Sequence, residues 1–392
     1  MTAIRVFLIV IDGLGIGAQE DSVQYGDEKA DTLGHVSEIS NCRLPNLSKM
    51  GLGNIKPLHS IPESVKPIAS YGKMREVSAG KDSTTGHWEL AGIHLDKPFP
   101  TYPDGFPETV VKAFCKGIGK DNVLCNKPYS GIDVINNYGD EHLKTGFPIL
   151  YTSADSVFQV ACHTDVTSIE TLYEWCEFAR NEIMTDQHGV GRVIARPFKG
   201  TLGSYERISE KRHDFSRTPN KPNLLSLLQA GGVKTYSIGK IIDLFAGEGF
   251  TQYRHTRNNA EGISQLLSLM SANIDQSFVF VNLIDTDQVF GHRQDPEGYG
   301  KCLEEIDRSI PAMLSRLNSG DLLIITGDHG NDPADDSTDH TREFVPLLVK
   351  RGKESSGKSL GIRETFSDVS ATISEAFEVE YRLPGTSFLK SG

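Results

Sequence analysis

No part of this chain approaches the ~20 consecutive apolar residues that span a bilayer. The longest such stretch, residues 6–11, stops at Asp12, and no small-residue cleavage site follows it. Neither a membrane segment nor a signal peptide is expected, which points to the cytoplasm and to no membrane partner. Paired cysteines are also lacking. Cys42, Cys115, Cys125, Cys162, Cys176 and Cys302 are scattered without a C-x-x-C pair, so they suit neither a zinc knot nor a disulfide framework. Positive charge is short: 40 Lys+Arg stand against 52 Asp+Glu, a net charge of −12 with His neutral. Such a chain does not hold nucleic acid through its general field. An anionic ligand would have to be drawn by metal ions or by particular Arg and Lys residues. Internal repeats and low-complexity tracts are missing too.

Two familiar phosphate loops are excluded by spacing. A P-loop ending at Gly80-Lys81 would need Gly at position 75, which is Arg75, and an acid follows the lysine. Gly13-Leu14-Gly15-Ile16-Gly17 follows the first strand but reads G-x-G-x-G, not G-x-G-x-x-G, and Asp12 would face a pyrophosphate.

What remains is a soluble globular composition, 38% apolar over 392 residues, long enough for two domains. Strands and helices alternate at both ends. A strand over 5–11 leads through a Gly-rich turn to a helix over 44–52. After residue 218, helices over 222–229, 259–271, 296–317 and 367–376 alternate with strands over 234–238, 278–284, 321–326 and 344–349. That order predicts an α/β fold, a mostly parallel sheet sandwiched by helices. Residues 98–218 read differently, with Pro/Gly-rich edges, a strand-like 148–152 and a helix over 169–183. They are expected to form an inserted α+β cap domain, with 1–97 and 219–392 as the catalytic core.

Three apolar runs end in carboxylates: 5–11 into Asp12, 278–284 into Asp285 and Asp287 with His292, and 322–326 into Asp328-His329. Asp339-His340 lies just before a fourth run. Open α/β sheets place ligands at the carboxyl ends of their strands. One Asp at a strand end is most often a helix cap or turn residue, and one surface His usually does nothing. Six such groups converging on one sheet edge are another matter, because that many like charges require a cation. Mixed Asp and His ligands favour Mn²⁺ or Zn²⁺ over calcium, and six suffice for two ions. Of the paired acids, Asp287 has the better spacing to His292. In Gly80-Lys81-Asp82-Ser83-Thr84-Thr85-Gly86-His87-Trp88, three hydroxyls in a Gly-bounded turn suggest a nucleophile at a helix N-terminus, where backbone N–H groups favour phosphate. A plain Ser/Thr cap is the alternative. Arg192 and Arg196 offer guanidinium groups in the middle segment, and Lys240 follows the strand over 234–238 at the expected catalytic edge.

Taken together, the segments around Asp12, Gly80–Glu89, Asp287…His292, Gly327-Asp328-His329-Gly330-Asn331-Asp332 and Asp339-His340-Thr341-Arg342-Glu343 resemble the phosphopentomutases of the alkaline phosphatase superfamily. Similarity also covers 31–35, 151–158 and 191–198, nearly the whole chain. The resemblance implies an alkaline phosphatase-like core and interconversion of ribose or deoxyribose 1-phosphate and 5-phosphate, with small phosphosugars as partners. It implies two Mn²⁺ ions, one held by Asp12, Asp328 and His329 with the nucleophile, the other by Asp287, His292 and His340. The nucleophile falls on Ser83, where the family commonly has Thr, with Thr84 and Thr85 as lesser candidates. Asp12-Gly13 replaces the usual Asp-Ser and keeps the ligand. Asp155, Arg192, Arg196 and Lys240 would bind substrate. A sugar bisphosphate activator and the oligomeric state are left open. A metal-dependent phosphatase, or another phosphosugar mutase on the same core, is the nearest alternative. A metal-binding scaffold without turnover is the non-enzymatic one.

Overall fold

Strands that are apolar on every residue need a covering layer on both faces. The computed structural model, which describes residues 4–153 and 156–389, meets that need with two sets of helices. The chain divides into two compact units, Met1–Pro98 with Pro219–Gly392, and Phe99–Thr218.

The first unit is built on an eight-stranded sheet in the order Gln252–Arg254, Lys234–Ile238, Ser277–Leu283, Arg5–Ile11, Leu322–Thr326, Val345–Arg351, Ser70–Met74 and Ser359–Arg363. Val345–Arg351 runs against its two neighbours and the remaining pairings are parallel. Register is continuous across the centre, Ile9 pairing with Val281 on one side and Ile325 on the other. Phe7, Ile9 and Ile11 face a core shared with Leu33, Val36, Leu303 and Ile306. On the opposite face, Phe280 meets the rings of Phe245 and His87 at 6.1 and 5.6 Å. Fully burying one such side chain contributes about 1.5–3 kcal/mol, so the central strands are held from both sides.

Two edge strands lie outside the sequence expectation. Gln252–Arg254 (QYR) and Ser359–Arg363 (SLGIR) carry polar residues or glycine in place of an apolar run, as fits strands at the rim of a sheet, and Ser70–Met74 (SYGKM), one place in from the rim, was equally unannounced. The helix expected from 222 begins at Leu224, where Asn223 forms a reciprocal cap with Ser226. The helix expected over 169–183 is regular from Ile169 to Phe178 and closes in a wider turn over Ala179–Ile183.

The second unit has its own mixed sheet, Leu124–Pro128, Ile149–Thr152, Val157–His163, Arg192–Lys199 and Glu206–Arg207, with His213–Ser216 paired to Arg192–Lys199. Phe114 and Leu172, from the helices Glu108–Ile118 and Ile169–Phe178, pack on Phe158, Val160 and Val193. Val134 and Ile135 of Asp133–Thr145 pack on Tyr151, Ala161 and Phe198 of the other face. All six cysteines are unpaired. Among the described residues, no helix is long and apolar enough to cross a membrane.

Candidate metal centre

Four adjacent parallel strands end together, and the residue after each end is what matters. Lys240 follows Lys234–Ile238, Asp287 follows Ser277–Leu283, Asp12 follows Arg5–Ile11, and Asp328-His329 follow Leu322–Thr326. His340 arrives from the other direction. It precedes Val345–Arg351, and because that strand is antiparallel, its beginning lies beside the end of Leu322–Thr326. The bridge between Gly330 and Thr341 fixes the approach.

Two groups of metal-ligand type result: Asp12, Asp328 and His329, and Asp287, His329 and His340, with ligand atoms in each group within 4.8 Å of one another. His329 belongs to both. His292 Nε2 lies 3.4 Å and His340 Nε2 3.5 Å from the Asp287 carboxylate. Asp12, Asp328 and His329 are completely buried. Asp285, the acid with the poorer spacing, is used elsewhere: it accepts the Asn259 N–H at the start of helix Asn259–Ser271.

The arrangement of lone pairs shows that these residues suit a cation. His329 Nδ1 donates to the Gly330 carbonyl at 3.0 Å, which leaves the Nε2 lone pair facing Asp328 Oδ2 at 3.3 Å and Asp12 Oδ1 at 3.5 Å. Burial and nearby His340 hold the His329 pKa below its ordinary value despite the surrounding acids, so the ring is neutral. A neutral lone pair pointed at carboxylate oxygens is repulsive unless a positive ion lies among them. Among the described residues, Asp12 Oδ1 and Asp328 Oδ2 are buried without a hydrogen-bond partner. The nearest donor to Asp328 Oδ2, His87 Nδ1 at 3.1 Å, directs its N–H to the Ser83 carbonyl at 2.8 Å. His292 Nδ1 likewise donates to the Thr338 carbonyl at 2.7 Å, freeing Nε2. Backbone carbonyls commonly orient ligating histidines in this way.

Burial and the Asp328 charge push the Asp12 carboxyl up. Lys240 Nζ sits 2.7 Å from Asp12 Oδ2 and donates to Ser83 Oγ at 3.1 Å. Burial disfavours the ammonium, yet Asp12, Asp287 and Asp328 together raise its pKa, so Lys240 stays charged.

Ser83 opens the helix Ser83–Leu90, and its Oγ is also 3.1 Å from His329 Nε2. The helix cap is Asp82, not a Ser or Thr. Its carboxylate accepts the Thr84 and Thr85 N–H groups, so those amides are already engaged. Thr85 Oγ1 also donates to Asp82 Oδ2 at 2.5 Å, which leaves Ser83 as the hydroxyl beside Lys240 and His329. The glycines after Asp12 have a packing role. A Cβ on Gly15 would collide with the Glu343 carboxylate at 2.3 Å, and Gly17 donates its N–H to Glu343 Oε2.

Several partners of the centre escaped the sequence reading. Asn282 donates to Asp12 Oδ2 at 3.0 Å, Thr286 Oγ1 to the Asp12 carbonyl at 2.6 Å, and Asn331 to Asp287 Oδ1 at 2.7 Å. His87 lies four residues beyond Ser83 on the same helix face, and Asn282 interrupts an apolar strand near its end; those were the available signals. Arg342 is buried and donates to the Ser78 and Gly80 carbonyls at 2.8 and 2.7 Å, tying the segment before Ser83 to the one that carries His340. Arg192 and Arg196 stand on Arg192–Lys199 of the second unit. Asp155 lies outside the described residues.

The metalloenzyme superfamily model matches residues 4–381. A phosphopentomutase of Caldanaerobacter subterraneus is 51% identical over 98% of this chain and 97% of its own length. One from Deinococcus radiodurans is 50% identical over 98% of each. Among solved structures, the PH0037 protein of Pyrococcus horikoshii aligns over 98% of this chain and 100% of its own, at 16% identity and a TM-score of 0.47. The two buried acid–imidazole groups are the donor set of a divalent-metal enzyme, and with half its residues shared over nearly its full length, this chain belongs to the phosphopentomutase family.

Proposed function

We propose that the chain interconverts ribose or deoxyribose 1-phosphate and 5-phosphate, with Ser83 carrying the phosphoryl group between the two hydroxyls and two Mn²⁺ ions at the centre. The observation that carries this reading is a serine hydroxyl 3.1 Å from both Lys240 Nζ and His329 Nε2, beside two acid–imidazole groups. One ion would be held by Asp12, Asp328 and His329, the other by Asp287, His292 and His340. Bound there, the ions would supply Lewis-acid charge that lowers the hydroxyl pKa and neutralises phosphoryl oxygens.

The side chains supply the rest. Lys240 keeps its proton and donates to Ser83 Oγ, favouring the ionised hydroxyl and then the anionic ester. Asp82 caps the helix and fixes where Ser83 starts. His87 holds the Ser83 carbonyl from within the same helix. A mutase must keep the phosphoserine from water while the sugar turns. The segment 98–218 is read as a cap for that purpose, with Asp155, Arg192 and Arg196 orienting the phosphosugar.

With Mn²⁺ and ribose 5-phosphate, ribose 1-phosphate should accumulate ahead of free phosphate, and mass spectrometry should find the phosphoryl group on Ser83. Ser83→Ala should lose activity on the order of 10³-fold or more. Full mutase activity in that variant would end the covalent reading. Phosphate release outpacing isomerisation would favour a phosphatase on the same core.

A further inference from the structure

Lys240 holds the Ser83 hydroxyl, and a second route holds the Ser83 backbone and leads to the same acid. His87 is completely buried one helical turn beyond Ser83, and both of its ring nitrogens are engaged. Nδ1 donates to the Ser83 carbonyl at 2.8 Å. With the proton there, Nε2 is left to accept, and the Asn282 amide nitrogen lies 3.3 Å away. Asn282 Nδ2 also donates to Asp12 Oδ2 at 3.0 Å, so the two hydrogens of one amide serve His87 and Asp12. Asp12 Oδ2 accepts in addition from Lys240 Nζ at 2.7 Å, and Lys240 donates to Ser83 Oγ at 3.1 Å. These contacts close a ring that leaves Ser83 at its carbonyl and returns to it at its hydroxyl.

The ring decides which edge of Asp12 is free. With both donors on Oδ2, Oδ1 is the oxygen that faces His329 Nε2, at 3.5 Å. Hydrogen bonds of this kind aim a ligating carboxylate. Asn282 stands opposite Val10 in the register of Ser277–Leu283 against Arg5–Ile11, two residues beyond Phe280 and on the same strand face. Phe280 lies against the His87 ring, with centroids 5.6 Å apart, so one strand face carries both the ring's packing surface and its hydrogen-bond donor. Gly239 lets the segment before Lys240 approach, because a Cβ there would lie 2.5 Å from the Asn282 carbonyl oxygen. Asn282 Oδ1 is buried with no hydrogen-bond partner among the described residues. A buried amide with one end unsatisfied costs stability, so folding alone does not call for an asparagine in this apolar strand.

We propose that His87 is a positioning residue for phosphoryl transfer. Through Asn282 it turns Asp12 Oδ1 toward the cation, and through the Ser83 carbonyl it keeps the nucleophile in register with that ion. The inference rests on the reading of Ser83 and a two-ion centre given above, and it gives the two nitrogens of His87 separable effects.

The test is calorimetric titration of the metal-free full chain with Mn²⁺, together with kcat and KM for ribose 5-phosphate, in His87→Asn, His87→Gln and Asn282→Ala. An Asn side chain reaches the Nδ1 position and can keep the donor to Ser83, but it offers Asn282 no acceptor. Gln reaches the Nε2 position and can accept from Asn282. His87→Asn and Asn282→Ala should each weaken Mn²⁺ binding at one of two sites by about tenfold and lower kcat by a similar factor, with KM little changed. His87→Gln should bring the Mn²⁺ affinity back to within about threefold of the parent while kcat stays low. Adding His87→Asn to Asn282→Ala should weaken Mn²⁺ binding no further, since both act through one contact. A purely structural role would lower the urea midpoint of the variants and leave Mn²⁺ affinity and kcat of the folded protein at the parent values, and that result would overturn the proposal. Should His87→Asn not fold, parent-like Mn²⁺ affinity and kcat in Asn282→Ala overturn it equally. Full mutase activity in Ser83→Ala would instead remove the reading beneath it, whereas an inactive Ser83→Ala beside a parent-like His87→Asn removes this inference alone.

Discussion

Single side chains set the charge balance of the loops around the centre, and His35 shows how. Its Nδ1 lies 2.6 Å from Oδ2 of buried Asp332, whose carboxylate also accepts the Asp31 and Ala334 N–H groups. Burial lowers the His35 pKa, but the hydrogen bond and charge of Asp332, with Asp31 and Glu343 behind it, bring the net shift upward. A raised histidine contributes its full stabilisation below the unfolded value, about 6.5, and loses it as pH rises through the folded value. His35→Gln should therefore lower the urea midpoint more at pH about 6 than at pH about 9. Because the ring is 39% exposed, solvent screening keeps the difference under about 1 kcal/mol. Equal losses at both pH values would rule out the ion pair. Legibility at this scale followed chemistry: Asp and His after apolar runs announced themselves, as did Lys240. Asn282, Thr286 and Asn331 did not, because a polar residue acquires its role from the neighbour it meets in three dimensions.

The element that matters most is the helix Ser83–Leu90, which packs close against the turn that carries Asp328. A Cβ on Gly86 would lie 2.0 Å from the Asp328 carbonyl oxygen, and that neighbour is backbone that cannot turn aside. Gly86→Ala must therefore move Ser83 away from Lys240 and His329 or strain the turn. Overpacking of this kind costs about 1–3 kcal/mol, so the urea midpoint should fall. Turnover should fall further than folding does, on the order of 10²-fold in kcat, because misplacement near 1 Å has that effect. A kcat within twofold of the parent would mean that the helix does not seat the hydroxyl.

Element directions were only partly readable. Alternating strands and helices are a local signal, and they predict the parallel core strands well. An apolar strand reads the same forwards and backwards, however, so nothing in residues 344–349 disclosed that Val345–Arg351 is antiparallel. That reversal brings His340 to the shared edge from the front of its strand, whereas the other ligands follow theirs. The Asp82 cap was equally hidden, because a turn offering Asp, Ser and Thr in succession leaves the capping residue to the backbone.

At the scale of the whole molecule, the centre gathers Asp12, Asp287, Asp328 and His340, so one cluster links distant parts of the chain across the sheet. Asp12, Asp287 and Asp328 share it with one ammonium, Lys240. Without cations, that concentration of negative charge opposes the close approach of the strand ends, so metal binding and folding should be linked. Chelation with EDTA should lower the melting temperature, and Mn²⁺ should restore it in a saturable way. A free ion at a hundred times its Kd adds about 2.7 kcal/mol per site. Protons compete for the same oxygens, and burial already raises Asp12, so the Mn²⁺-induced gain should shrink as pH falls. Asp328→Asn should lose part of the Mn²⁺-dependent gain and keep the part contributed by Asp287, His292 and His340. A melting temperature indifferent to EDTA and Mn²⁺ would contradict the centre itself, because among the described residues Lys240 is the one ammonium that faces its three buried carboxylates.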